Sequence, residues 1–169
     1  MKVFPMPFTN HLSYFASLLN TAPRAVAIVR GSNAYPGIYG EVRFYQTAFG
    51  TLVSAEFSGL PAGSSACTNP VFGFHIHSGS QCTGNFADPF ADTLTHYNPY
   101  NCNHPYHAGD LPPLFSANGY AFSTFLTTRF SAGEIIGRTV ILHSMPDDFT
   151  SQPAGNSGAK IACGTIMAQ

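Results

Sequence analysis

Apolar and polar positions along this chain follow two different periods. Between residues 10 and 20, Leu12, Phe15, Ala16 and Leu19 recur at helical spacing, and the run stops before Pro23. The spacing predicts a short amphipathic helix over 10–20, with Thr9 or Asn10 as its N-cap. From residue 24 the period falls to two. Residues 25–29, 37–46 and 51–57 read as three short strands separated by turn-forming Gly, Ser, Asn and Pro. A fourth strand covers 71–77, and strands resume at 120–128, 138–143 and 160–167. Between 78 and 117 lie about 40 residues rich in Gly, Pro, Asn and Asp, far beyond an ordinary connection. A second irregular stretch covers 144–159. Short strands punctuated by turns predict an antiparallel sandwich or barrel. The chain has no internal repeat and no linker.

Composition narrows the picture. The chain has 169 residues, enough for one domain with a sizeable core. Charged residues make up only 9% and the formal net charge is −1, so nothing resembles a basic nucleic-acid surface or a polybasic membrane patch. No apolar run approaches the roughly 20 residues of a membrane helix. Pro5 and Pro7 interrupt the first residues, which make a poor secretory signal, and a cytoplasmic location is therefore favoured. The four cysteines, Cys67, Cys82, Cys102 and Cys163, allow three complete pairings, and a cytosolic protein would usually keep them reduced.

The histidines carry the chemistry. Six of seven fall in one ordered series: His75 and His77, then His96, then His104 and His107, then His143. His11 stands apart and reads as a surface or capping residue. On a strand, His75 and His77 point the same way, about 7 Å apart at their Cα atoms, and can grip one ion. His104, His107 and Asp110 put three zinc-type ligands within seven residues. Three histidines and a carboxylate suit one tetrahedral zinc. The remaining histidines then point to a second metal, or to a ligand shared by two.

The segments GFHIHSG (73–79), HYNP (96–99), HPYHAGDLPPLF (104–115), GRTVILHSMPDD (137–148) and GNSGAKIACGTI (155–166) resemble, in this order, the copper-zinc superoxide dismutases. The resemblance runs from about residue 24 to 168. It implies a Greek-key β-barrel of about eight antiparallel strands with two long functional loops, over 23–169, preceded by an extension with the short helix at 1–22. It further implies copper on His75, His77, His96 and His143, and zinc on His96, His104, His107 and Asp110. His96 would be the shared imidazolate, leaving copper on reduction, taking up a proton and donating it in the second half-reaction. Asp147 matches the carboxylate that links a copper histidine to a zinc histidine. Cys82 and Cys163 match the family's intrasubunit disulfide, while Cys67 and Cys102 have no counterpart. Superoxide would be the substrate, copper and zinc the cofactors, and a homodimer is an assembly the resemblance allows.

Three departures qualify the match. Lys160 stands where the family has its active-site arginine, and a lysine is a point charge without the planar fork that anchors an anion through two bonds. Only two residues separate His104 from His107. The stretch from His143 to Lys160 is short and poor in charge, which implies weaker steering of superoxide and a more open copper. The same ligands would also serve a non-enzymatic protein that buffers or delivers metal, or a structural β-sandwich holding zinc alone.

Overall fold

The computed structural model describes residues 8–169. Helix α1 (Phe8–Leu18) is followed by strands β1 (Ala25–Gly31), β2 (Tyr39–Thr47), β3 (Gly50–Ser58), β4 (Val71–Phe72), β5 (Phe74–His77), β6 (Leu114–Phe115), β7 (Ala121–Thr127), β8 (Thr139–His143) and β9 (Lys160–Ala168). Seven strands form one curled antiparallel sheet in the order β5-β8-β9-β1-β2-β3-β7, and β4 pairs with β6 beside it. This is an all-β Greek-key barrel.

Alternation explains the sheet. Ala25, Ala27 and Val29 of β1, Val42 and Phe44 of β2, and Val53, Ala55 and Phe57 of β3 point inward and are buried, while Ile28 faces out. Across the barrel, Phe74 and Ile76 of β5, Val140 and Leu142 of β8, and Ile161 and Ile166 of β9 close the same core. Phe57 and Phe74 meet edge-to-face, with ring centroids 5.9 Å apart. Because β5 and β8 give alternate residues to the core, His75, His77, Ile141 and His143 occupy their opposite face. That face carries the site.

The strand expected over 71–77 is two strands. At Gly73 the chain leaves β6 and joins β8, so β4 and β5 belong to different sheets. The Gly73 N–H donates to Met145 O, and its carbonyl accepts from His143 N–H. A Cβ at Gly73 would lie 2.8 Å from the Ser157 side chain, so glycine lets the second loop press against the break. The helix begins and ends two residues earlier than expected. Thr9 and Asn10 lie inside it, and its capping position lies outside the described residues. His11, Tyr14 and Phe15 pack their rings on Phe49 in the β2–β3 turn. His11 is thus an aromatic packing residue rather than a cap. No described helix is long and apolar enough to cross a membrane.

Cys82 and Cys163 are joined, with Cα atoms 5.6 Å apart, and tie the first long loop to β9 across 81 residues of sequence. Phe90 and Ile141 pack beside the bond in a small cluster of their own. Cys67 and Cys102 are free thiols. Removing the bond by Cys82→Ser with Cys163→Ser is expected to lower the unfolding free energy of the metal-free protein by about 4.5 kcal/mol, the chain-entropy value for a loop of this length. Urea titration of the two proteins measures it.

Candidate metal centre

β5 would be an open edge of the sheet, but the first long loop covers it. The Ile76 N–H donates to Gly109 O at 2.9 Å, the Tyr97 N–H donates to Ile76 O at 2.8 Å, and the Gly109 N–H donates to Tyr97 O at 2.8 Å. Both limbs of the loop are therefore pinned to one strand residue. Bridges pair His77 with His96 and His75 with Asp110. A Cβ at Gly109 would sit 2.2 Å from Ile76 O, so only glycine permits this approach. At the other end of the face, a register shift between Leu142 and His143 ends the β8 ladder and sets His143 opposite Lys160.

These contacts bring the histidines together. His75, His77, His96 and His143 form one buried group, and His96, His104, His107 and Asp110 form another. In each group the ligand-capable atoms all lie within 4.8 Å of one another, and His96 belongs to both. The tight His104–His107 spacing does not prevent closure: their ring centroids are 5.5 Å apart, and each lies within 5.7 Å of the His96 ring.

Hydrogen bonds on the outer nitrogens fix which ring nitrogen faces inward. Asp147 accepts from His75 Nε2 at 2.7 Å and from His104 Nε2 at 2.9 Å, leaving Nδ1 of both rings turned to the centre. His77 Nδ1 donates to Leu94 O at 2.9 Å and His143 Nδ1 to Gly158 O at 3.3 Å, leaving their Nε2 atoms 3.3 Å apart. Two imidazole lone pairs facing each other repel unless a cation lies between them. Two more ring nitrogens, His75 Nδ1 and His96 Nε2, are buried with no hydrogen-bond partner among the described residues, while His104 Nδ1 and His107 Nδ1 face the Asp110 carboxylate at 3.1 and 3.3 Å. Buried polar atoms left in this way are rare. The inward nitrogens and the Asp110 carboxylate are a donor set for two transition-metal ions of the copper and zinc type.

The electrostatics agree. Burial holds His75 down to about 4 and His143 to about 3, and it pushes His77 well below its usual range. His107 is lowered, again chiefly by burial. These rings are neutral at pH 7, the form that binds metal. Burial alone would raise the carboxyl of Asp147, but its bonds from His75, Phe149 N–H and His104 bring it down to about 2. Asp110 is likewise lowered, mainly by His96, against the same burial.

Several parts of the centre have no motif. Arg129, just beyond β7, donates from one guanidinium nitrogen to the carbonyls of Pro105, His107 and Asp110 at 2.8 to 3.2 Å, clasping the loop. Gln152 exchanges two hydrogen bonds with the His104 backbone. Gly155, at φ +65°, leaves room for the bridge: a Cβ there would lie 2.0 Å from Asp147 Oδ1. The one usable sequence signal is scarcity. The chain has only seven Lys and Arg, so a cation near the site stands out. Lys160 lines a cavity of about 560 Å³ that opens onto His77, His96 and His143, and its Nζ is paired with Asp88 Oδ2 at 2.8 Å.

A Greek-key barrel carrying two histidine groups that share one imidazole on its outer face is a binuclear metalloprotein. The sequence profile of the copper/zinc superoxide dismutases matches residues 38–166. A copper-zinc superoxide dismutase of Legionella pneumophila is 33% identical over 89% of this chain and 85% of its own length. One from Aquifex aeolicus is 29% identical over 94% of this chain and 89% of its own, and one from Arabidopsis thaliana is 33% identical over 86% and 91%. The chain belongs to the copper/zinc superoxide dismutase family.

Asp147→Ala is expected to weaken retention of both metals by about 10- to 100-fold, because one carboxylate orients a ligand in each group. Competition with a chelator, followed by metal analysis, checks it. The metal-free protein should lose stability as pH falls. Below about 6.5 the unfolded chain protonates its histidines, while folded His75 resists to about 4 and His143 to about 3. Melting temperatures should therefore drop steadily from pH 7 to pH 4, and a flat profile would contradict the neutral-imidazole assignment.

Proposed function

We infer that the chain catalyses the disproportionation of superoxide, in which two superoxide anions and two protons give dioxygen and hydrogen peroxide. The observation that carries this reading is the completeness of the donor set. Every histidine and carboxylate that the family resemblance requires is present, buried and turned toward one of two points, with His96 facing both.

In this reading His75, His77, His96 and His143 hold copper, and His96, His104, His107 and Asp110 hold zinc. Bound copper supplies a one-electron redox couple, and bound zinc supplies a fixed positive charge that steadies the shared imidazole. The chain does the rest. His77, His96 and His143 border the cavity, so a small anion can reach the first group, while His75 is fully buried behind them. His96 Nε2 has no other partner, and it is the atom suited to take up a proton and pass it to the departing peroxide. Asp147, bonded to one ring of each group, keeps their spacing fixed while charge changes on one side. Lys160 provides the cationic side chain at the cavity wall.

Reconstitution tests the reading. The protein loaded with both metals should hold one copper and one zinc per chain, matching its two groups, and should remove superoxide catalytically. Full copper occupancy without turnover would overturn it in favour of metal buffering or delivery. Failure to bind copper would leave a structural zinc protein. Lys160→Gln should lower kcat/KM several-fold at low ionic strength without changing copper content, and this difference should shrink as salt screens the charge.

A further inference from the structure

Lys160 begins β9 at the cavity rim, and its ammonium is already engaged. Nζ donates to Asp88 Oδ2 at 2.8 Å and to Phe90 O at 3.0 Å. An ammonium has three N–H donors, so one is left for a ligand. The Lys160 side chain is 14% exposed and that of Asp88 39%, so the pair stands at the wall rather than out in solvent.

Asp88 is held in place from several sides. Its Oδ1 accepts from Phe90 N–H at 3.0 Å, its N–H donates to Asn85 Oδ1 at 3.1 Å, and its carbonyl accepts from the N–H groups of Asn85 and Ala91. The segment is anchored just upstream by the Cys82–Cys163 disulfide. Burial by itself would raise the Asp88 carboxyl, but the bonds from Lys160 and Phe90 N–H bring it below its ordinary value. It is therefore a carboxylate at neutral pH.

Among the described residues that line this cavity, Lys160 is the one Lys or Arg and Asp88 the one Asp or Glu. Their charges cancel at short range. An anion that takes the third N–H of Lys160 must do so beside a carboxylate bonded to the same nitrogen, and like charges so placed repel.

We propose that Asp88 is a positioning residue for anion capture: by pairing with Lys160 it sets how strongly the copper cavity captures small monovalent anions. The role of Lys160 as an anion-attracting group is thereby held in check by a residue outside the metal-binding motifs. The proposal rests on the copper assignment made above.

Azide binding to the copper- and zinc-loaded protein tests it, followed through the visible absorption and electron paramagnetic resonance of the copper. Asp88→Asn keeps an acceptor for Phe90 N–H but removes the charge. It should bind azide about fivefold more tightly, the upper end for an exposed charge pair, with a steeper dependence on ionic strength. Lys160→Gln should bind azide more weakly. In the Lys160→Gln background, Asp88→Asn should gain clearly less than about fivefold, because only the direct repulsion remains and the part acting through Lys160 is gone. Asp88→Glu should return the affinity toward that of the unmodified protein, which loss of loop structure would not allow. Unchanged azide affinity in Asp88→Asn overturns the proposal, as does an equal gain with and without Lys160. A protein that takes up no copper under these conditions overturns the copper assignment, and the proposal with it. A copper spectrum that responds to azide equally in every variant leaves the copper assignment standing and sinks the proposal alone.

Discussion

The Asp147 carboxylate is the interaction on which the centre depends. Its two oxygens reach His75 on a barrel strand and His104 in a loop, 2.7 and 2.9 Å away, and a third bond from Phe149 N–H holds it there. Without it, both rings could turn or change tautomer, and the inward nitrogens would no longer face two fixed points. The carboxylate comes from the second long loop, so that loop is part of the frame of the site and not only its cover. Gly155 and Gln152, from the same loop, reinforce this: one leaves space for the bridge and the other bonds the backbone of the ring it holds.

Around that bridge, the barrel provides rigidity and the loops provide ligands. Phe74 and Ile76 are locked in the core, so His75 and His77 on the opposite face have little freedom. The first long loop completes the sheet edge through Ile76, which converts an irregular segment into a second wall of fixed geometry. The result is a volume in which neutral imidazoles are packed closely enough to be unfavourable among themselves. Two groups of lone pairs and one carboxylate are favourable only with cations between them. Metal binding and the folding of these loops are thus coupled.

Much of this was legible in the sequence, and the limits follow from physics. The apolar runs and the turn residues between them located β1 to β3 and β7 to β9 within a residue or two, even though β8 is buried on both faces. They failed at Gly73, because both halves of 71–77 are buried and alternation does not show which neighbour a strand pairs with. The ligands stood out because histidine in the His-x-His and His-x-x-His-x-x-Asp patterns is seldom incidental. Their supports did not. Leu94 and Gly158 contribute backbone carbonyls, which any residue has, and Arg129 acts from a distant strand end. Lys160 was visible as the replacement for an arginine. Its partner was not, since Asp88 lies in a stretch without periodicity and 72 residues away.

The two groups differ in how far along the chain they reach. His96, His104, His107 and Asp110 lie within a single loop, whereas His75 and His143 are strand residues brought together only by the finished barrel. Closing the shorter span costs less entropy, and its ligands are all present once residue 110 has been synthesised. The longer-range group must wait for residue 143 and for β8 to pair with β5. The shared His96 is therefore where a group of short span, whose His104 still needs the Asp147 bond from the second loop, meets a group that exists only in the finished barrel.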